Sequence, residues 1–311
     1  MRNSYSSSTY LVSSYAARKK VTIASLHALH QARTPITVLT AYDFPTARAA
    51  STNDIDVTLV GDSLAQVCLG YSSTTSLTLD EMLHHCRAVA RGTSAPFLVA
   101  DMPFGSYYTG QEDTVRAAVR MLQEGNVEAV KLEGGSEIAA RVKALTTIGI
   151  PVMAHVGLLP QRHTALSGYR VQGRTAESAR SILHSALALE EAGAFSIVLE
   201  AIPAPLAAYI TSRLKVPTIG IGAGPDCSGQ VLVWDDVMGT WAGHKAKFVR
   251  RFGDVRSEVE RGVKAYAAAV RDGSFPHHEK EGYTIEDGEI QKLLEMENDQ
   301  EWSWSQPSKI V

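Results

Sequence analysis

The sequence lacks the cysteine pattern of a disulfide framework. Its three cysteines, Cys68, Cys86 and Cys227, are far apart, and no two of them have CxxC spacing. Small disulfide scaffolds and structural zinc sites both depend on closely spaced cysteines. The cysteine usage therefore predicts a reducing compartment and argues against both of these classes.

The chain also lacks a long apolar run and a strong charge of either sign. No stretch approaches the roughly 18 apolar residues that a membrane-spanning helix needs. The net charge is -3, and no stripe of lysine and arginine with interleaved aromatics occurs, so neither a membrane nor a nucleic-acid partner is expected. With 311 residues, 45% apolar and 20% charged, the composition is that of a soluble globular protein with a substantial core.

Acidic residues are missing from the first 42 positions. Residues 1–20 contain six serines together with Arg2, Arg18, Lys19 and Lys20. A serine-rich, basic and acid-free segment is typical of a mitochondrial transit peptide. We therefore expect residues 1–20 to be a disordered leader and the protein to be mitochondrial. The alternative is a basic tail without a targeting role on a cytoplasmic protein.

From residue 36 onward, short apolar segments alternate with helical patterns. The segments predicted as strands are 36–41, 56–60, 97–100, 127–132, 151–155, 196–199, 217–221 and 231–234. Among the helices, Thr78 and Glu81 form the pattern of a capping box, and Gly92 can end the helix that follows. Residues 21–283 are expected to form a single catalytic domain. Residues 284–311 are expected to form an acidic C-terminal tail, because 285–301 hold seven acids and one lysine.

This alternation, at about 30 residues per unit, is typical of a parallel α/β architecture. Eight units in one domain predict a (β/α)8 TIM barrel, whose sites lie at the C-terminal ends of the strands. A doubly wound open sheet is the alternative. No G-x-G-x-x-G follows the first strand, which argues against a dinucleotide-binding sheet.

Polar and charged residues stand where the second to sixth predicted strands end. An unpaired carboxylate is costly in a core, but it is tolerated at a strand end that opens onto a site. In a barrel these ends meet at one mouth, so the set predicts a site there. Its members are Asp62 with Ser63, Asp101, Lys131 with Glu133, His155, and Glu200.

The carboxylates of this set suit a hard divalent cation. Asp62 and Asp101, with Glu133 nearby, offer the oxygen ligands that Mg²⁺ prefers, and no histidine or cysteine cluster favours zinc. Taken singly, each aspartate has an alternative role in accepting backbone N–H bonds from the turn that follows it.

Glu200 follows three apolar residues and is a candidate general base. Its alternative role is that of an acid at the start of the next helix. Lys131 and Glu133 alternate on one strand and so share a face; an inter-strand ion pair or a bound carboxylate or enolate explains them equally well. His155 is either catalytic or a hydrogen-bonded core residue. Together the set suits metal-assisted proton abstraction beside a carbonyl.

Eight motifs, taken in order, resemble the ketopantoate hydroxymethyltransferase (3-methyl-2-oxobutanoate hydroxymethyltransferase) family over residues 20–283. They are Thr40-Ala41-Tyr42-Asp43, Leu59-Val60-Gly61-Asp62-Ser63, Ala100-Asp101-Met102-Pro103-Phe104, Val130-Lys131-Leu132-Glu133-Gly134-Gly135, His155-Val156-Gly157-Leu158 with Pro160-Gln161, Gly168-Tyr169-Arg170-Val171-Gln172-Gly173-Arg174, Val198-Leu199-Glu200 and Ile219-Gly220-Ile221-Gly222-Ala223-Gly224.

The resemblance implies a barrel of the phosphoenolpyruvate/pyruvate superfamily type. It also implies transfer of a hydroxymethyl group from 5,10-methylenetetrahydrofolate to 3-methyl-2-oxobutanoate, giving 2-dehydropantoate on the way to pantothenate and coenzyme A. Finally, it implies a large, decamer-like homo-oligomer. Together with the leader, it implies a eukaryotic, fungal-like member of the family.

By position, the resemblance implies roles for the same strand-end residues. Asp62 and Asp101 match the metal ligands, with Glu133 acting through water. Ser63, Asp101 and Lys131 match the residues that hold the keto acid. Glu200 matches the base, and Lys131 and His155 match further active-site residues. The alternatives are a carbon–carbon lyase of the same superfamily, a Schiff-base aldolase using Lys131, and a non-catalytic barrel that binds a keto acid or a metal.

Overall fold

The computed structural model describes residues 18–298, and its central feature is a closed barrel of eight parallel strands. Each strand pairs with the next, and the last pairs with the first. This confirms the predicted (β/α)8 barrel and all eight predicted strands. The strands are β1 Ile36–Thr40, β2 Val57–Val60, β3 Phe97–Asp101, β4 Ala129–Glu133, β5 Val152–Gly157, β6 Ser196–Glu200, β7 Thr218–Ile221 and β8 Gly229–Leu232.

Helices connect most of the strands. They are α1 Ile23–Gln31, α2 Phe44–Thr52, α3 Leu64–Val67, α4 Leu79–Gly92, α5 Gln111–Gln123, α6 Ala139–Thr147, α7 Ala176–Glu191, α8 Ala204–Arg213, α9 Trp234–Met238, α10 Val255–Asp272 and α11 Glu289–Asn298. The predicted capping box opens α4: the Glu81 N–H donates to Thr78 Oγ1, and the Glu81 carboxylate accepts from the Thr78 N–H. Within residues 18–298, no helix is both long and apolar enough to cross a membrane.

Several local features differ from the sequence predictions, and helix α2 and strand β8 are two examples. Helix α2 was not predicted, although Asp43 and Thr46 form a capping box at its start. Strand β8 begins and ends two residues earlier than predicted. The reason for the shift is that Trp234 already opens α9, which carries Asp235 and Asp236 in its first turn.

The side chains of the strands alternate between two cores. On β4, Val130 and Leu132 face outward and pack in the apolar layer beneath the helices. Ala129, one residue away, belongs to the separate cluster inside the barrel, and Lys131 and Glu133 continue that inward row into the mouth. The alternation therefore places charged residues inside the barrel only where its C-terminal end opens.

The chain divides into two compact units at Asp254. The first holds the barrel, and the second begins at Val255 and holds α10 and α11. The boundary falls inside the segment 21–283 that was predicted to be one domain, and the domain limits stay a prediction. Part of the predicted acidic tail is helical, as α11, and residues 299–311 lie outside the described part.

Most of the predicted leader, residues 1–17, also lies outside the described part. Its last basic residues are described and contact the barrel. Arg18 forms an ion pair with Asp56 at 2.5 Å, and Lys20 forms one with Glu128 at 2.5 Å.

Candidate active site

Every site residue predicted from the sequence lines one cavity of about 180 Å³ at the C-terminal ends of the strands. The strands bring together side chains that are far apart in the chain. These are Asp62, Ser63, Asp101, Lys131, Glu133, His155 and Glu200.

Lys131 pairs with Asp101 across two neighbouring strands. The register places the two residues side by side, and Lys131 Nζ lies 2.8 Å from Asp101 Oδ1, with side chains only 6% and 4% exposed. Burial lowers the pKa of Lys131, but the carboxylates of Asp101, Glu133 and Asp62 outweigh it and raise that pKa overall. Lys131 is therefore a cation at neutral pH. This contact is an inter-strand ion pair, one of the explanations that the sequence left open for Lys131.

His155 lies between Lys131 and Glu200. Its Nδ1 atom is 3.2 Å from Lys131 Nζ, and its Nε2 atom is 3.2 Å from Glu200 Oε2. Burial and the charge of Lys131 lower the pKa of His155, so the ring is neutral at pH 7. Because an ammonium group can only donate, Nδ1 accepts and the ring proton sits on Nε2, facing Glu200. The Glu200 side chain is 15% exposed to the cavity.

Gln161 contacts two acids of the site at once. It lies in a short 3-10 turn after β5 and is buried. Its side-chain Nε2 donates to Asp62 Oδ2 at 2.8 Å and to the Met102 carbonyl at 3.0 Å. Its backbone N–H donates to Glu133 Oε2 at 3.0 Å. The Tyr107 hydroxyl donates to its Oε1 atom at 2.7 Å, which fixes the orientation of the amide.

No role was predicted for Gln161 from the sequence. One signal was available in the sequence. Gln161 directly follows the apolar run Leu158, Leu159 and Pro160, and this position favours burial of its side chain.

The buried acids raise each other's pKa. Burial and the nearby Asp101 raise the pKa of Asp62 to about 7, against the opposing effects of Lys131 and Gln161. Burial and Asp62 likewise raise the pKa of Glu133 well above its usual range. A cation bound among these oxygens would remove the repulsion that raises both values.

The donor set fits a divalent cation that keeps part of its hydration shell. Among residues 18–298, no three His, Cys, Asp or Glu side chains converge on one point. Mg²⁺ does not require such a cage, because it commonly takes one or two carboxylates and completes its shell with water and substrate oxygens. Asp62 and Asp101 are adjacent, since the Asp62 N–H donates to Asp101 Oδ2 at 2.9 Å. These two residues would hold the cation, with Glu133 nearby.

Ser63 is connected to Thr40 through Tyr42. Thr40 donates to the Tyr42 hydroxyl at 2.8 Å, and the same hydroxyl lies 2.8 Å from Ser63 Oγ. Burial raises the pKa of Tyr42, so the phenol keeps its proton. Either hydroxyl can be the donor of this bond; when Tyr42 donates, Ser63 can donate its own proton to an anion in the cavity. Thr40 and Tyr42 had no predicted role of their own.

The fold and the site define a class: enzymes built on a (β/α)8 barrel with a carboxylate-rich site at its mouth. A model of the ketopantoate hydroxymethyltransferase family matches residues 20–278. The chain belongs to this family and is an enzyme, as the ordered motifs predicted.

Curated relatives cover most of the chain. A 3-methyl-2-oxobutanoate hydroxymethyltransferase from Oleidesulfovibrio alaskensis is 50% identical over 265 residues, which cover 85% of this chain and 91% of that protein. One from the fungus Emericella nidulans is 49% identical over 261 residues, covering 83% of this chain and 75% of that protein.

Solved structures of more distant proteins have the same fold. A phosphonopyruvate hydrolase, in complex with oxalate and Mg²⁺, has a TM-score of 0.56 at 16% identity and covers 90% of this chain and 96% of its own. A 2,3-dimethylmalate lyase of the PEP mutase/isocitrate lyase superfamily has a TM-score of 0.52 at 18% identity, with coverage of 89% and 97%. These similarities confirm the (β/α)8 barrel fold.

Proposed function

We propose that the protein transfers a hydroxymethyl group from 5,10-methylenetetrahydrofolate to 3-methyl-2-oxobutanoate, giving 2-dehydropantoate in pantothenate biosynthesis. The reaction would be assisted by a divalent cation, for which we propose Mg²⁺. Membership of the family supports the reaction and the pathway. The observation that carries the metal proposal is the row of buried Asp62, Asp101, Lys131 and His155, with the partly exposed Glu200, around one cavity. The folate donor is proposed from family membership.

The keto acid would enter as an anion and meet two donors. The Lys131 ammonium group remains charged among the acids, and the Ser63 hydroxyl, which lines the cavity, can donate when Tyr42 is the donor of the bond between them. Both can bind the substrate carboxylate and fix the position of C3. A cation held by Asp62 and Asp101, with Glu133 acting through water, would supply Lewis-acid polarisation of the 2-oxo group and stabilise negative charge there.

Glu200 is the base in this proposal. Its side chain is 15% exposed, whereas those of Asp101, Lys131, Glu133 and His155 are 2–6% exposed, so it can reach a proton on a molecule in the cavity. The neutral His155 ring lies beside the Glu200 carboxylate, with Nε2 3.2 Å from Oε2 but without an aligned hydrogen bond between them. In the overall reaction, the C3–H bond is replaced by a C3–CH₂OH bond. The one-carbon unit leaves both folate nitrogens, and water supplies its oxygen.

The charge of Lys131 argues against the Schiff-base alternative. A lysine nucleophile must be neutral to attack a carbonyl, whereas the surrounding carboxylates raise the pKa of Lys131. The mitochondrial location and the decamer-like assembly stay predictions. The targeting signal would lie mainly in residues 1–17, outside the described part of the chain.

Proton NMR of the full-length protein with 3-methyl-2-oxobutanoate in deuterated buffer tests the proposal. With Mg²⁺ alone, the C3 proton signal should disappear by exchange. Addition of methylenetetrahydrofolate should produce the hydroxymethyl signal of 2-dehydropantoate. EDTA should abolish both changes, and Mg²⁺ should restore them.

Three results would contradict parts of this proposal. Absence of product with the folate donor would rule out the donor. Turnover that survives EDTA would rule out the cation. Borohydride trapping of Lys131 with the keto acid would establish the Schiff-base route instead.

A further inference from the structure

The cavity has two chemically different halves. The half formed by β2 to β6 carries the charged residues described above. The other half, formed by β7, β8 and the segment after them, is apolar apart from one carboxylate. Among the described residues that line this second half, the apolar ones are Ile221, Val231, Val233 and Phe248, and the charged one is Asp236.

Asp236 has no role in the mechanism proposed above. It is half-buried, and its carboxylate makes no hydrogen bond or ion pair with another residue between 18 and 298. Burial and the neighbouring Asp235 raise the pKa of Asp236, and Arg251 opposes the shift. Asp235, by contrast, accepts a hydrogen bond from Thr240. The oxygens of Asp236 are not among the buried atoms that lack a partner, so water can reach them and a ligand in the cavity can donate to them.

The position of Asp236 is fixed by its helix. Helix α9 is anchored to β1, because the Trp234 N–H donates to Thr40 Oγ1 at 2.8 Å. Thr40 is the residue that also donates to Tyr42, the partner of Ser63. The helix that carries Asp236 is therefore connected, through Trp234, Thr40 and Tyr42, to Ser63 on the same side of the cavity.

An aromatic ring lines the same half of the cavity. Phe248 packs over Gly222, where an added Cβ would lie 2.7 Å from the Phe248 Cδ1 atom. Gly222 also has a φ of +63°, a conformation that glycine adopts without strain. The Phe248 side chain remains 38% exposed and lines the cavity. The absence of a side chain at 222 thus makes room for this ring.

We propose that Ile221, Val231, Val233, Asp236 and Phe248 form the subsite for the pterin ring of the one-carbon donor. This inference rests on the proposed function. A reduced pterin has a flat ring that suits apolar and aromatic walls. Its edge carries two adjacent donors, N3–H and the 2-amino group, and a carboxylate can accept both at once. The keto acid is an anion, so a further carboxylate would repel it.

Asp236→Asn tests the subsite by separating the two substrates. We expect the KM for methylenetetrahydrofolate to rise at least tenfold, while the KM for the keto acid stays within twofold of wild type. Exchange of the C3 proton, which needs no folate, should stay at the wild-type rate, and this also shows that the variant folds. Asp235→Asn is the matched control, because Asp235 is bonded to Thr240, and it should leave both KM values unchanged.

A modified donor provides an independent measurement. In the folate analogue with a methyl group in place of the 2-amino group, one of the two proposed donors is missing. Wild type should bind this reduced analogue at least tenfold more weakly than tetrahydrofolate, as measured by calorimetry. Asp236→Asn should bind the two ligands with affinities that differ by less than threefold.

The outcomes separate failure of the subsite from failure of the proposed function. If wild type transfers the group from methylenetetrahydrofolate but Asp236→Asn has an unchanged folate KM, the subsite assignment is wrong and the proposed function stands. Loss of C3 exchange in Asp236→Asn would place Asp236 on the keto acid side and would also overturn the assignment. If wild type itself cannot use methylenetetrahydrofolate, the proposed function fails before the variant is considered.

Discussion

Gln161 donates a side-chain hydrogen bond to Asp62, which lies 99 residues earlier in the chain, at 2.8 Å. The same residue binds Glu133 through its backbone N–H. One glutamine thus holds two acids of the cavity, and Tyr107 fixes its amide so that the nitrogen, not the oxygen, faces Asp62. A hydrogen bond to the ionised form of a carboxyl group favours that form, so Gln161 helps to keep Asp62 charged.

Gln161→Met should therefore weaken binding of a divalent cation. Methionine keeps the volume but removes the donor, which raises the pKa of Asp62 further and leaves less of it ionised at pH 7. We expect Mn²⁺ affinity, measured by calorimetry, to fall about tenfold, equivalent to about 1.4 kcal/mol. Gln230→Met is the control, because Gln230 donates its side-chain bond to the Gly224 carbonyl, away from these acids. Equal Mn²⁺ affinity in wild type and Gln161→Met would show that Gln161 only fills space.

Glu200→Gln should abolish C3 proton exchange and preserve binding of the keto acid. The amide keeps the shape of the side chain but cannot accept the proton. Loss of a general base typically costs about 10² to 10⁴ in rate, which exchange into deuterated solvent followed by NMR can measure. Glu177→Gln, at an exposed position in the first turn of α7, should exchange at the wild-type rate. Exchange that persists in Glu200→Gln would assign the base to another group.

Mg²⁺ affinity should depend on pH through Asp62. Its pKa is raised to about 7 by burial and Asp101, so below that pH a proton must leave before the cation binds. The apparent affinity should be constant above about pH 8 and fall by about tenfold per pH unit well below 7. Calorimetry at a series of pH values checks this. Asp62→Asn should bind weakly with a flatter pH profile, and an unchanged profile would assign the dependence to another acid such as Glu133.

A comparison of Gly222→Ala with Gly70→Ala should separate the cost of backbone strain from the cost of a steric clash with the Phe248 ring. Both glycines have positive φ, +63° and +71°, so alanine should cost about 1–2 kcal/mol at either site. An added Cβ meets the Phe248 ring at Gly222 but nothing within 4 Å at Gly70. Gly222→Ala should therefore lower the denaturant midpoint more than Gly70→Ala does. It should also raise the KM for the folate donor, whereas Gly70→Ala should not. Similar effects of the two variants on both quantities would show that the Phe248 contact is unimportant.

The sequence by itself determined the barrel and the strand-end residues that line its mouth. Apolar segments of strand length alternate with amphipathic helices, and that alternation is enough to predict parallel strands covered by helices. Placement of acids only at strand ends follows from the cost of burying an unpaired charge. This argument located Asp62, Asp101 and Glu200 without knowledge of their contacts.

Only the tertiary structure decided which side chains of the site contact each other. The partner of Lys131 depends on the register between β3 and β4, which brings Asp101 beside it. The positions of Gln161 and Asp236 depend on a short 3-10 turn and on helix α9, which lie outside the strand pattern. A periodic pattern records whether a position is buried, because burial repeats with the geometry of the strand or helix. It does not record the direction of a side chain or the distance between residues that become neighbours only when the barrel closes.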